Sequence, residues 1–328
     1  MILKHVLVTG ANGFIGQSLC KSLAESGFIV RGTIRSMDRK SPNTQTGYVV
    51  TGPIEAVSNW DPVLDSVEAV VHTAATSDFH GPPTKAALDR MNSINVDAVT
   101  RLAEQAVVAG VKRFIYLSSI KVNGLITTDR PFTADDNPQP VEPYGKSKMA
   151  AEQALYKISA DTGLELVILR PSLVYGPNPR GSVLQLMRFV DREILLPLAS
   201  VENRRSLVAV QNLCDLIKVC LIHPKAPDNT FLVSDGADIS TPDFIRRIAS
   251  HMGRKTRLVP IPVFLLRMSA ALLGRWSEIQ ALTFSQQVDS SKTRDRLNWV
   301  PPVNPDKALG IAVEDYLRLR SGYGRRSH

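Results

Sequence analysis

Tyr144 and Lys148 stand four residues apart in the stretch PYGKSKMAAEQAL, and that spacing sets both on one face of a helix. A phenol with a reference pKa of about 10 is a poor acid–base group at neutral pH. An ammonium one turn away favours the phenolate and lowers that value. Lys148 can do this and can also bind ribose hydroxyls. Ser118 and Ser119 close the apolar run Phe114 to Leu117, where a hydroxyl can hold a reacting oxygen. A third component lies near the start, in KHVLVTGANGFIG, Lys4 to Gly16. Gly10 lets the chain turn off a strand, Gly13 lets backbone approach a pyrophosphate, and Gly16 lets the next helix pack close to the sheet. The helix N-terminus offers unpaired N–H groups and a positive dipole end to an anion. Glycine turn, serine and Tyr/Lys pair together describe proton transfer at an oxygen held beside a dinucleotide.

The elements that must position these groups follow from apolar patterning. Val6 to Val8 is a strand and the helix after Gly16 carries Leu19, Leu23 and Ala24. Phe28 to Ile34 reads as the second strand. Dinucleotide folds often end this strand in an acid for the ribose hydroxyls; here it ends at Arg35, with Arg39 and Lys40 following, which suits a 2′-phosphate and leans the cofactor from NAD(H) toward NADP(H). Tyr48 to Val50 and Val67 to His72 are further strands, and Ala74 and Ala75 after the latter are small enough for close backbone approach to a ligand. Ser93 to Ala109 reads as a helix, Phe114 to Leu117 as a strand, and Leu166 to Leu169 as another, after the Tyr144 helix. This alternation predicts an α/β fold: a Rossmann-type doubly wound parallel sheet. From about residue 177 prolines recur and the alternation breaks down, so we expect a dinucleotide-binding domain over 1–176 and a smaller C-terminal substrate lobe over 177–328, with a strand or two crossing back. Within the lobe, Gln211 to Leu221 reads as a helix, Thr230 to Val233 as a strand, and Thr241 to Met252 as a helix with Thr241 as N-cap and Pro242 at its first position. Val263 to Leu273 is an apolar helix, too short to span a bilayer; packing within the lobe or a dimer contact suits it better than a membrane anchor.

With 328 residues, 44% hydrophobic and 21% charged, the composition is that of an ordinary soluble globular protein, and no apolar run is long enough for a transmembrane span. The N-terminus enters a core strand with no signal pattern, so we expect a cytoplasmic protein. Cys20, Cys214 and Cys220 have no metal-ligand spacing, and no metal site is expected; they read as buried thiols. The net charge of +8 is concentrated partly in a basic C-terminal tail with Arg318, Arg320, Arg325 and Arg326. No nucleic-acid-binding motif accompanies it, whereas a basic protein suits an anionic substrate.

TGANGFIG, SSIKVNG, YGKSK and RPSLVYGP together resemble the extended short-chain dehydrogenase/reductase family, the NAD-dependent epimerases, dehydratases and reductases of nucleotide sugars. The resemblance covers nearly the whole chain. It implies Ser119, Tyr144 and Lys148 as catalytic residues. It implies a cofactor site of Gly10, Asn12, Gly13, Phe14, Ile15 and Gly16, with Pro171 and Ser172 against the nicotinamide and Lys148 on the ribose. For a UDP-sugar substrate it implies Ser119, Lys121, Tyr144 and Arg205. A second diphosphate-binding arginine is not evident; Arg275 is a loose match. Dehydratases of the family carry an Asp-Glu pair after the Ser/Thr, and here those positions are Ile120 and Lys121, so water elimination lacks its acid and base. SSIKVNG, NRRSLV, FLVSDG and SKTRDRLNWVPPV are most similar to bacterial UDP-N-acetylquinovosamine-type 4-ketoreductases, which serve surface polysaccharide synthesis. The expected activity is therefore an oxidoreductase reducing a C4 ketone. A UDP-hexose 4-epimerase with retained NAD, and a non-catalytic dinucleotide sensor, are the alternatives. The helices Ser93 to Ala109 and Tyr144 onward could pair in a homodimer.

Overall fold

The computed structural model describes residues 3–37, 45–77, 84–274 and 276–324. Its strands are β1 (His5–Thr9), β2 (Ile29–Ile34), β3 (Thr46–Val50), β4 (Ala69–His72), β5 (Arg113–Leu117), β6 (Glu165–Pro171), β7 (Leu173–Tyr175), β8 (Leu207–Ala209) and β9 (Asn229–Val233). The first half of the chain supplies helices α1 (Phe14–Glu25), α2 (Asp61–Leu64), α3 (Lys85–Asn92), α4 (Ala98–Val108) and α5 (Pro143–Thr162). The second half supplies α6 (Gly181–Asp191), α7 (Val210–Ile222), α8 (Thr241–Met252), α9 (Val263–Leu272), α10 (Trp276–Thr283), α11 (Ser291–Leu297) and α12 (Pro305–Gly324).

Seven strands form one parallel sheet in the order β3-β2-β1-β4-β5-β6-β9, the Rossmann-like α/β architecture. Its strands are apolar on both faces because helices cover both. Alternation decides which face each side chain joins. Val6 and Val8 of β1, Ile115 and Leu117 of β5, and Val167 and Leu169 of β6 pack with Leu19 and Leu23 of α1 and Leu213 and Ile217 of α7. Leu7, Phe114, Tyr116, Leu166 and Ile168 face the other way, onto Leu102 of α4 and Leu155 of α5. The order reverses between β1 and β4, so their carboxyl ends open a crevice there.

A second core joins Tyr175, Leu186, Phe244, Ile248, Leu309 and Val313, beside the small parallel pair β7–β8. The chain does not stay in this lobe. Beyond residue 177, α7 packs on α1 and β9 pairs with β6, register Val167↔Asn229 to Pro171↔Val233.

The helix expected over Ser93 to Ala109 begins earlier. Thr84 caps α3, its hydroxyl accepting from Ala87 N at 3.2 Å, and a π turn over Ser93–Asp97 joins α3 to α4. Only Met91 of α3 is buried, so this helix leaves almost no apolar period to read. The cap of α8 also differs from expectation. Ser240, not Thr241, is the N-cap, accepting from Asp243 N at 3.1 Å. Thr241 is the first helical residue, and its hydroxyl donates to Leu282 O at 2.8 Å, holding α8 to the end of α10. All three cysteines are buried and free, and burial pushes Cys20 and Cys214 up to about 12. Among the described residues no helix is long and apolar enough to cross a membrane.

Candidate active site

At the end of β1 the chain turns through Gly10, which takes a left-handed φ of 67°. A Cβ there would stand 3.0 Å from the backbone of Ala74, so the turn after β1 and the segment after β4 touch as the expected cofactor site requires. Gly13 N donates to Gly10 O at 2.8 Å, and Gly13 is the N-cap of α1 with no side chain over the helix end. At Gly16 a Cβ would lie 2.1 Å from Gly10 O; only glycine lets α1 start this close to the turn. Phe14 and Ile15 begin α1, whose first turn has no acidic residue, and its N–H groups and dipole favour an anion. Asn12 offers its carbonyl to Gln17 Nε2 at 3.1 Å, which braces the turn. Arg35 is exposed just past β2; Arg39, Lys40 and Arg275 lie outside the described residues.

The other wall comes from β5 and α5. Ser119 caps a single 3-10 turn, Ile120–Val122, its hydroxyl accepting from Lys121 N at 3.2 Å. Pro143 opens α5 at its first position. Glu142, the N-cap, makes no capping bond, because its carboxylate instead meets Lys121 Nζ at 2.6 Å. The Lys121 ammonium stands 6.0 Å from the Tyr144 ring centroid. Ser119, Lys121 and Tyr144 thus share one corner, with Tyr144 half-buried. One turn along α5, Lys148 is buried, its Nζ 4.1 Å above the ring of Tyr116. Burial pushes Lys148 down to about 7, and the Glu152 carboxylate works against that shift. Burial, and then Lys148, hold His72 down at about 3, so this imidazole is neutral; its Nδ1 lies 3.0 Å from Thr9 Oγ1. Tyr116 is pushed well up by burial and by its neighbours Tyr144 and Glu152, so its phenol keeps its proton.

A third turn of α5 brings a group that the sequence reading overlooked. Glu152 accepts from Ser118 Oγ, from Arg170 Nε at 2.9 Å and from Arg170 Nη2 at 2.5 Å, while Arg170 Nη1 donates to Asn123 Oδ1 at 2.9 Å. Ser118 precedes Ser119, and Arg170 precedes Pro171 and Ser172. One buried carboxylate therefore fixes β5, β6 and α5 relative to one another. The signal was present as spacing: Tyr144, Lys148 and Glu152 are each four apart. Asn95, in the π turn, was also overlooked. Its amide accepts from Thr76 N and donates to Thr76 O, both at 2.9 Å, and donates to Ser147 Oγ at 2.9 Å, tying the Ala74–Ala75 segment to α5.

Arg205 stands apart from this corner. Its guanidinium donates to Ala281 O at 2.8 Å and Gln286 Oε1 at 3.3 Å, and Gln286 Nε2 in turn donates to Gly124 O at 3.2 Å, just beyond the 3-10 turn.

Three buried polar atoms find no hydrogen-bond partner among the described residues here: His72 Nε2, the Tyr116 hydroxyl and Ser172 Oγ. They belong to β4, β5 and the residue after β6, and the Lys148 ammonium of α5 lies over the ring of one of them, Tyr116. Such atoms are costly to leave unpaired, so they mark where a polar ligand completes the site. With the glycine turn and the anion-ready end of α1, this fits a dinucleotide.

Residues 6–233 match the model of the NAD dependent epimerase/dehydratase family, and the chain belongs to that family. It is 39% identical over 322 residues to a UDP-glucose 4-epimerase of Vibrio cholerae, spanning 97% of both chains. The fold matches a crystal structure of UDP-glucose 4-epimerase from Thermotoga maritima with UDP-glucose at TM-score 0.79 and 21% identity, over 96% of this chain and 99% of that one. It matches UDP-glucuronic acid 4-epimerase from Bacillus cereus in complex with NAD at TM-score 0.78 and 19% identity, again over 96% and 99%. At these identities the two structures speak for the fold alone.

Proposed function

We propose, starting from that family membership, that the protein is an NAD(P)-dependent oxidoreductase acting at C4 of a UDP-linked hexose. The reaction we favour is reduction of the C4 ketone of a UDP-2-acetamido-2,6-dideoxy-4-hexulose. The observation that carries the reading is the α5 face: Tyr144 beside the Ser119 corner, with buried Lys148 one turn behind it. When bound, the nicotinamide supplies hydride to the carbonyl carbon. Tyr144 gives its proton to the developing alkoxide, and Ser119 holds that oxygen. The Lys148 ammonium stabilises the phenolate left behind, and also engages the ribose. Lys121 and Arg205 are the substrate-side cations. Ile120 is buried and Lys121 is paired with Glu142, so the positions that supply the dehydratases' acid and base carry no carboxylate, and the neighbouring one is engaged. Arg35, at the place of the ribose-binding acid, supports exchangeable NADP(H) as reductant.

The 39% identity to a UDP-glucose 4-epimerase favours a second reading with the same residues, in which C4 is oxidised and reduced again on the other face with the cofactor retained. One experiment separates the two. NADPH with a panel of UDP-4-ketosugars is followed at the nicotinamide absorbance band, and UDP-glucose and UDP-N-acetylglucosamine are incubated without reductant. Stoichiometric loss of absorbance with no interconversion supports the reductase. Steady epimerisation without added reductant overturns it in favour of the epimerase.

A further inference from the structure

Helix α9 is apolar on two faces. Leu266 and Ala270, four apart, are buried in the lobe. Phe264, Met268 and Leu272, spaced by four on the other side, are 62%, 58% and 85% exposed, and Leu265 is exposed beside them. A helix on a surface lobe ordinarily presents polar residues there. Exposed Leu273 and Trp276 continue the patch beyond the helix end. Leu196 N donates to Arg257 O at 2.8 Å and Val259 N to Leu196 O at 2.9 Å, so exposed Ile194 and Leu195 lie alongside the segment that leads into α9. The surrounding charge is nearly of one sign. Between Asp243 and Glu278 the sequence has no acidic residue, and its basic residues include Arg254, Lys255, Arg257 and Arg267. Buried Asp191 is shared by Arg254 and Arg320, which leaves positive charge in surplus; Glu193, 3.3 Å from Arg257, and Glu278 are the acids at the margin.

We propose that this face docks the protein on a bilayer surface that contains anionic phospholipid, with α9 lying in the plane of the interface. Ten residues rise only about 15 Å, too little to cross the hydrocarbon. The same helix can rest at the headgroup boundary with its apolar side inward, while the basic margin meets anionic headgroups. Trp276, with an apolar ring and a polar N–H, suits that depth. A second copy of the chain fits less well, because a two-fold contact through this face would set the basic margin against itself.

The test is flotation of the full-length protein with vesicles of phosphatidylcholine alone, or of phosphatidylcholine with phosphatidylglycerol. The protein floats with the anionic vesicles, stays behind with the neutral ones, and is released by high salt. Phe264→Ser combined with Leu272→Ser lowers the bound fraction by about tenfold or more, while the melting temperature stays that of the wild type. Wild type left in the aqueous fraction with anionic vesicles overturns the proposal, as does a double variant that floats equally well. A dimer in sedimentation that the double variant converts to monomer also overturns it and assigns the face to a second copy.

Discussion

Replacing Glu152 by Gln tests the buried network that ties α5 to the ends of β5 and β6. Glu152 and Arg170 side chains are 3% and 5% exposed, so the guanidinium has no water to fall back on when the carboxylate charge is removed. Breaking a buried pair from one side costs about 3–5 kcal/mol. The unfolding entropy, about 2.1 cal/mol/K per residue, comes to roughly 0.7 kcal/mol/K for 328 residues. The melting midpoint should therefore fall by about 4–7 °C, read by calorimetry or a dye-based melt. Glu152→Met with Arg170→Met, which removes both charges, should recover more than half of that loss, because well-packed apolar pairs often match buried ion pairs. A Glu152→Gln midpoint within about 1 °C of wild type, less than 1 kcal/mol on this scale, would refute the reasoning. The pair would then be no tie at all.

Tyr144→Phe removes the proposed proton donor and keeps the ring; turnover should drop by roughly 10²–10⁴-fold with dinucleotide affinity nearly unchanged in a fluorescence titration, and near-normal turnover would discard the assignment. Lys148 sits at about 7 because burial lowers it. In the reductive direction kcat/KM should therefore be highest below that value and fall as pH rises through it, as the ammonium that stabilises the phenolate is lost. Glu152 is the group that raises Lys148, so Glu152→Gln should move this limb to lower pH; a shift to higher pH contradicts the electrostatics. Gly16→Ala puts a methyl 2.1 Å from Gly10 O, and should abolish dinucleotide binding or soluble expression; wild-type affinity would show that the turn relaxes at little cost. Arg35→Asp should shift the ratio of NADPH to NADH affinity toward NADH by about tenfold or more; an unchanged ratio makes Arg35 a surface residue only.

The sheet was legible in the sequence because buried parallel strands are short apolar runs between helical periods, and β1, β5 and β6 fall within a residue or two of where those runs lie. The glycine turn was legible because its spacing has a steric cause, which the Gly10 and Gly16 contacts display. Helix α3 was not, because it buries one residue of its eight and carries no stripe. The cap of α8 falls on Ser240 and not on the adjacent Thr241, and the local spacing carries the reason: Asp243, three residues on, bonds Ser240 through both its amide and its carboxylate, while the Thr241 hydroxyl is taken by Leu282 O. Of the site, the residue types on one helix face were readable at four-residue spacing. The partners from elsewhere were not: Glu142 on Lys121, Arg170 on Glu152 and Asn95 on Thr76 join segments whose neighbourhood exists only in the fold. The same holds for Arg205, whose spacing says nothing of its bonds to Ala281 and Gln286.

The late arrival of β9 bears on how the molecule can be built and rebuilt. The chain leaves the sheet after β6, forms β7, α6 and β8, returns through α7 to lay β9 beside β6, and leaves again. During synthesis, β6 is an open edge until residue 233 has emerged, and its apolar run Leu166 to Leu169 is then a template for pairing with other chains. A fragment cut after residue 176 freezes the molecule in that state. By the same topology the lobe is no detachable cassette. Recombining it between relatives takes several crossovers, and each has to leave α7 and β9 with the sheet they were shaped against.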